Sequence, residues 1–207
     1  MNNQRLYHRA CYLRSAHTLA QLPPDKGMEV AFAGRSNSGK SSAINAICHQ
    51  RQLARSSKTP GRTQQIIFFQ LDEHRRLVDL PGYGFAQVPL TLKRHWQVVL
   101  ERYLSERQSL RGLMLMMDCR HPLTELDQQL LAWSQQRQLE VQVLLTKADK
   151  LSYQQAQKCY YQVQTQLSPY SNQVQVQLFS ALKFRGIECA QARLDYWLAS
   201  EQHKAGI

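Results

Sequence analysis

Residues Gly34-Arg35-Ser36-Asn37-Ser38-Gly39-Lys40-Ser41 spell G-x-x-x-x-G-K-S, a spacing built to wrap a phosphate chain. The glycines let consecutive backbone N–H groups turn inward, and a Cβ at Gly39 would obstruct both the turn and the approach of the phosphates. Lys40 can reach the β- and γ-phosphates, and the Ser41 hydroxyl can bind Mg²⁺. The helix that starts here adds its positive end. At average glycine usage the octet arises by chance in roughly one chain in a hundred of this size, so a fortuitous match is the weaker reading.

A second motif names the base. Thr146-Lys147-Ala148-Asp149 follows the apolar run Val141 to Leu145. Guanine offers N1–H and the N2 amino group side by side, and one carboxylate can accept from both. Adenine has an acceptor at N1 and no amino group at C2, so Asp149 would reject it. The Lys147 stem can cover one face of the base while its ammonium stays in water. Between the two motifs, Asp79-Leu80-Pro81-Gly82 closes the run Leu77-Val78. Asp79 can hold a magnesium-bound water opposite Ser41, and the Gly82 N–H can meet a γ-phosphate, so the loop senses that phosphate. Upstream, the polar loop from Lys58 to Thr63 carries two threonines. One of them can complete the magnesium shell: Thr63 is favoured because it directly precedes a strand, and Thr59 is the alternative. Phe179-Ser180-Ala181 ends the alternation Val174, Val176, Leu178, where a small residue lets a backbone N–H approach guanine O6.

Such residues work only if strands and helices hold them. Apolar runs predict strands at Glu29–Ala33, Gln65–Leu71, Arg76–Asp79, Gly112–Met117, Val141–Leu145 and Val174–Phe179. Amphipathic segments predict helices at Lys40–His49, Leu90–Glu106, Thr124–Arg137, Ser152–Gln166 and Gly186–Ser200. The alternation predicts a three-layer α/β domain with a six-stranded, mostly parallel sheet and helices on both faces. The short link from Asp72 to Arg75 makes Gln65–Leu71 the antiparallel edge strand. The phosphate site should lie at the carboxyl ends of the strands.

Together G-R-S-N-S-G-K-S-S, K-T-P-G-R-T-Q, D-L-P-G-Y-G and T-K-A-D resemble the EngB group of bacterial GTP-binding proteins, also called YihA or YsxC, among the TrmE-Era-EngA-EngB-septin-like P-loop GTPases. The likeness runs from about Val30 to Trp197. It implies a GTPase needed for late assembly of the large ribosomal subunit and for normal cell division and septation. It also implies nucleotide contacts at Gly34, Arg35, Ser36, Asn37, Ser38, Gly39, Lys40, Ser41 and Ser42, then at Gly61, Arg62, Thr63, Gln64 and Gln65. Asp79, Leu80, Pro81 and Gly82 follow, with Thr146, Lys147, Ala148 and Asp149 and then Phe179, Ser180 and Ala181 at the base. Lys40, Thr63 and Gly82 carry the catalytic roles. Mg²⁺ is held by Ser41 and Thr63, with Asp79 acting through water. Asn37 stands where potassium-activated relatives carry a K⁺ ligand, although a turn with an unusual backbone angle explains an asparagine equally well.

One departure concerns hydrolysis. A water-positioning glutamine does not follow D-x-x-G; Tyr83 stands there, a poor substitute that can simply point away. Turnover should be slow unless a partner or an ion helps. The alternative reading is a non-catalytic module that binds RNA or protein according to its guanine nucleotide. A small-molecule P-loop kinase lacks an acceptor lid here, and T-K-A-D argues against it.

Composition sets the bounds. The 207 residues carry a formal net charge of +11, and one domain suffices for that length. The expected layout is a basic extension at 1–24 packing on the core, the GTPase domain at 25–200 and a short tail at 201–207. Arg51, Arg55, Lys58 and Arg62 lie in a stretch without an acid, which suggests a polyanionic partner, with RNA the natural candidate and a solvated basic face that only aids solubility the alternative; the resemblance implies the large ribosomal subunit and its rRNA. The absence of an RNA-recognition motif with stacking aromatics points to contacts with phosphates and shape. Five scattered cysteines fit a reducing cytoplasm rather than a disulfide framework. The seven histidines lack zinc-ligand spacing, and no apolar run is long enough to span a membrane. A cytoplasmic monomer is the expected form.

Overall fold

The computed structural model describes residues 4–55, 65–83, 90–170 and 172–199. Seven strands form one sheet: β1 Cys11–Ala16, β2 Met28–Gly34, β3 Ile66–Gln70, β4 Arg75–Asp79, β5 Leu110–Asp118, β6 Val141–Thr146 and β7 Val174–Leu178. Their order across the sheet is β1-β3-β4-β2-β5-β6-β7. The helices are α1 Gln4–His8, α2 Lys40–Ile47, α3 Leu90–Glu106, α4 Glu125–Gln136, α5 Tyr153–Gln166 and α6 Ile187–Trp197. None of the described helices is long and apolar enough to cross a membrane.

The central strands are apolar on both sides because both sides are covered. In β2, Val30 and Phe32 pack with Ile44 and Ile47 of α2 and Leu194 and Trp197 of α6. Ala31 and Ala33, pointing the other way, join Val99 and Tyr103 of α3, Leu130 of α4 and Val163 of α5. The β3–β4 hairpin follows from Asp72. Its carboxylate accepts from the His74 and Arg75 N–H groups at 3.0 and 2.9 Å and from Arg75 Nε at 2.7 Å, a local turn that aspartate forms readily.

Two expectations are corrected. The sheet has seven strands, not six, and β3 is antiparallel but not at the edge. The N-terminal strand β1 covers its outer side, pairing antiparallel from Cys11↔Gln70 to Ala16↔Ile66 with an irregularity between Tyr12 and Arg14. The reason β1 carries no signal is its burial: Cys11 to Arg14 are exposed and only Ala16 is buried, so hydrophobicity does not alternate. The segment is nonetheless part of the core. Tyr7 is fully buried and donates to Asp195 of α6 at 2.5 Å. Gln50, just after α2, donates to the carbonyls of His8 and Ala10 at 3.1 and 2.7 Å.

At the amino-terminal end of the sheet, far from the motifs, Glu29 is fully buried. It accepts from Arg107 Nη2 at 2.7 Å, Arg107 Nε at 2.9 Å and the Tyr103 hydroxyl at 3.0 Å, and forms an ion pair with Arg76 at 3.1 Å. One carboxylate therefore anchors β2, β4, the end of α3 and the start of β5.

Candidate functional site

The first motif forms where β2 gives way to α2. Its two glycines are required for different reasons. A Cβ on Gly34 would lie 2.5 Å from Ser38 Oγ and 2.7 Å from the Met116 carbonyl, so there is no room for one. At Gly39 a Cβ would meet only Thr146, at 3.6 Å; the constraint is φ = 94°, which side chains resist. The obstruction of the turn expected at Gly39 is thus conformational. Asn37 is also left-handed, at φ = 63°, a backbone that asparagine tolerates.

Lys40 opens α2, and its ammonium contacts the Asp79 carboxylate at the end of β4, with both side chains nearly buried. A cavity of ≈340 Å³ lies beside this pair. It is lined by Arg35, Ser36, Asn37, Gly39, Lys40, Ser41, Ser42, Gln65, Asp79, Leu80, Pro81, Gly82 and Lys147. These were all predicted site residues, scattered over more than a hundred positions; Arg55 and Ile67, which were not, complete the lining. Gly61, Arg62, Thr63 and Gln64 lie outside the described residues, as do Lys58 and Thr59.

The D-x-x-G segment is fastened to the phosphate loop by backbone. Leu80 N–H donates to the Phe32 carbonyl at 3.0 Å, Ser36 N–H to Tyr83 at 2.8 Å and Tyr83 N–H to Gly34 at 3.4 Å. The Tyr83 side chain leads elsewhere. Its hydroxyl donates to Asp127 Oδ1 at 2.6 Å, and burial, then the Asp127 charge, holds its pKa well above the ordinary phenol value. Asp127 is itself buried and accepts from the Thr124 N–H and hydroxyl at 2.9 and 2.8 Å, capping α4.

The third motif is tied to the first. Thr146 Oγ1 donates to the Ser38 and Met117 carbonyls. Lys147, left-handed at φ = 57°, donates from Nζ to the Asn37 carbonyl at 2.6 Å and meets Asp118 Oδ2 at 3.0 Å. Asp118 was not foreseen in the sequence. It ends β5, and Arg120 donates to it from the backbone at 3.0 Å and from the guanidinium at 3.0 and 2.7 Å. Burial pushes its carboxyl pKa up, but the hydrogen bonds from Arg120 and Lys147 outweigh that and hold it below the usual carboxylate range. The available signal was an acid closing a long apolar run.

Asp149 faces a second cavity of ≈220 Å³, shared with Ala148, Ser180 and Lys183. The Ser180 hydroxyl donates to Asp149 Oδ1 at 2.6 Å and accepts from the Lys183 N–H at 3.1 Å. Ala148 N–H donates to the Phe179 carbonyl at 3.2 Å, while Ser180 N–H is taken by the Arg185 carbonyl at 3.0 Å. Lys147 thus lines the phosphate cavity, while Ala148 and Asp149, the next two residues, line the second.

Comparisons with known proteins bear on the family and the fold. A family model described as "50S ribosome-binding GTPase" matches residues 29–147. A "Probable GTP-binding protein EngB" of Stenotrophomonas maltophilia is 52% identical over 197 residues, covering 95% of this chain and 98% of that one. The chain belongs to the EngB family of P-loop GTPases. A second EngB, of Nitrosococcus oceani, is 55% identical over 193 residues, covering 93% and 96%. The crystal structure of a probable GTP-binding protein EngB superposes with a TM-score of 0.67 at 20% identity, covering 82% of this chain and 98% of that one. The last comparison speaks for the fold alone.

A hard cation suits the EngB site. Ser41 and Asp79 put a hydroxyl and a carboxylate on one small cavity, and oxygen donors of this kind are what Mg²⁺ prefers beside phosphates.

Proposed function

We propose that the chain binds GTP and GDP with Mg²⁺, hydrolyses GTP slowly, and in its triphosphate form engages the large ribosomal subunit through rRNA during assembly. Normal cell division and septation would depend on that task. The observation that carries the nucleotide part is the bond from Lys147 to the Asn37 carbonyl. It supports reading the two motifs as parts of one nucleotide site.

Within that site the N–H groups from Gly39 to Ser41 and the Lys40 ammonium take the phosphates. Ser41 and Thr63 hold the cation directly, Thr63 only with the triphosphate, and Asp79 acts through water. Held by these residues, Mg²⁺ would supply neutralisation of the phosphate charge. Gly82 meets the γ-phosphate. Asp149 accepts from guanine N1–H and N2–H₂, Lys147 covers the ring, and the Ala181 N–H faces O6. Comparing GTP with GDP affinity in Thr63→Ala and Thr59→Ala decides between the two threonines. The working unit is residues 25–200, with 1–24 docked on it and 201–207 a tail, as a monomer in the cytoplasm.

The net charge of +11 and the description of the matching family support the ribosomal part. Full-length protein should co-sediment with large subunits more strongly with a non-hydrolysable GTP analogue than with GDP. Retention should also fall steeply with salt, by roughly one power of concentration per phosphate contact. Binding indifferent to both salt and nucleotide would leave a constitutive protein-interaction module as the better account.

Asn37 lines the phosphate cavity, and its amide oxygen is a suitable K⁺ donor. Turnover is expected to be higher in KCl than in NaCl. Asn37→Gly keeps the left-handed backbone but removes the amide, and should abolish the difference. A potassium effect that survives in Asn37→Gly puts the ion elsewhere; no effect in the parent leaves Asn37 as a turn residue.

A further inference from the structure

Two stretches of the chain contain no acid, from Met1 to Pro24 and from Val30 to Leu71. The fold brings described parts of both together on one edge. β1 pairs with β3, with Tyr12 opposite Phe69, and Gln50 clasps the carbonyls of His8 and Ala10. Between them lies a cavity of ≈780 Å³, larger than the phosphate cavity and within the range of about 300–1,000 Å³ that small ligands use. Phe69 and Ile67 give it apolar walls, and Arg51, Gln52 and Arg55 bring polar groups. Tyr12, which also lines it, is 61% exposed. Arg9 and Arg14 are exposed close by in sequence. Arg55 and Ile67 line the phosphate cavity as well.

We propose that this cavity receives one unstacked nucleotide of a single-stranded RNA segment, its base against the Tyr12 ring and its phosphates on Arg51 and Arg55. This rests on the ribosomal reading and names the surface and the RNA form that reading needs. The chemistry follows from the lining. Guanidiniums without a competing carboxylate favour a phosphate backbone, an exposed ring offers a stacking face, and a recess with apolar walls takes a flat base only if that base has left its helix. Because Arg55 belongs to both cavities, a ligand in one alters the surroundings of the other. RNA and guanine nucleotide should therefore change each other's affinity by the same factor.

The probe is a fluorescein-labelled, mixed-sequence oligoribonucleotide of about 12 nucleotides, read by anisotropy with the full-length protein. Tyr12→Ala should weaken binding about 5-fold or more, and Tyr12→Phe should restore it. Arg51→Gln should lower the slope of log affinity against log salt by about one. Neither position lines the nucleotide cavities, so affinity for a fluorescent GDP analogue should be unchanged and will report that each variant is folded. Wild-type RNA affinity in Tyr12→Ala overturns the proposal. So does an acidic peptide of equal length that binds as tightly as the RNA, which would make the edge a protein site. If Tyr12→Ala matches the parent on both RNA and ribosomal particles, the cavity is wrong and the ribosomal reading stands. If the parent fails to sediment with particles, that reading itself falls.

Discussion

Asp149→Asn protein is expected to lose GDP affinity by roughly 30- to 150-fold and to prefer xanthosine diphosphate. A hydrogen bond involving a charged group is worth about 2–3 kcal/mol, and each 1.4 kcal/mol is about tenfold. Asparagine replaces one acceptor with a donor, which clashes with guanine N2–H₂ and suits the carbonyl that xanthine carries there. The surroundings favour a clean result. Ser180 donates to Asp149 Oδ1 and can donate equally to an amide oxygen, so the new side chain has its orientation set. Competition of XDP and GDP against a fluorescent nucleotide reads the exchange directly. Unchanged GDP affinity in the variant, or parent protein that binds ATP within a few-fold of GTP, would remove Asp149 from base recognition.

Glu29→Ala is expected to cost about 3–5 kcal/mol of folding stability, the penalty for stranding buried charge. The alanine would leave Arg76 and Arg107, both largely buried, facing each other with the Tyr103 hydroxyl and only the more distant Asp25 carboxylate, 3.4 Å from Arg107. Against a typical total of roughly 5–15 kcal/mol, that is enough to bring a domain near its threshold. Urea unfolding should show a lower midpoint at unchanged slope. Nucleotide affinity of the folded fraction should hold. Glu29 and Gly34 sit at opposite ends of β2, about 16 Å apart at the usual rise per residue. A loss under about 1 kcal/mol would mean that water reaches the arginines and that the cluster is no anchor.

The site was more legible than the sheet because its chemistry is local. Four or five residues at fixed spacing announce a phosphate loop, and the central strands carry mostly apolar residues because helices cover both faces. β2, β4, β5, β6 and β7 therefore fell within two residues of their sequence-based bounds. β1 was invisible for the opposite reason. It is an outer strand whose exposed residues, Cys11 to Arg14, have no burial pattern to display. Missing it also misplaced β3 at the edge. Asp118 escaped for a third reason: its partners are Lys147 and Arg120, and a long-range ion pair leaves no periodic trace. Glu29, an acid inside an apolar strand, looked like the start of the strand, whereas its carboxylate is the hub of three cationic and hydroxyl partners.

Tyr83 donates its proton to a buried carboxylate contributed by a helix 44 residues away. A side chain fastened in this way cannot swing inward to align a water in each catalytic cycle without giving up that bond. On the proposed reading the triphosphate state would run down only slowly by itself, and its duration would be set mainly by whatever brings the missing group, an arriving partner or an ion, and so by the frequency of encounters. Such a device acts less as a timer running down than as a catch that stays set until its counterpart releases it.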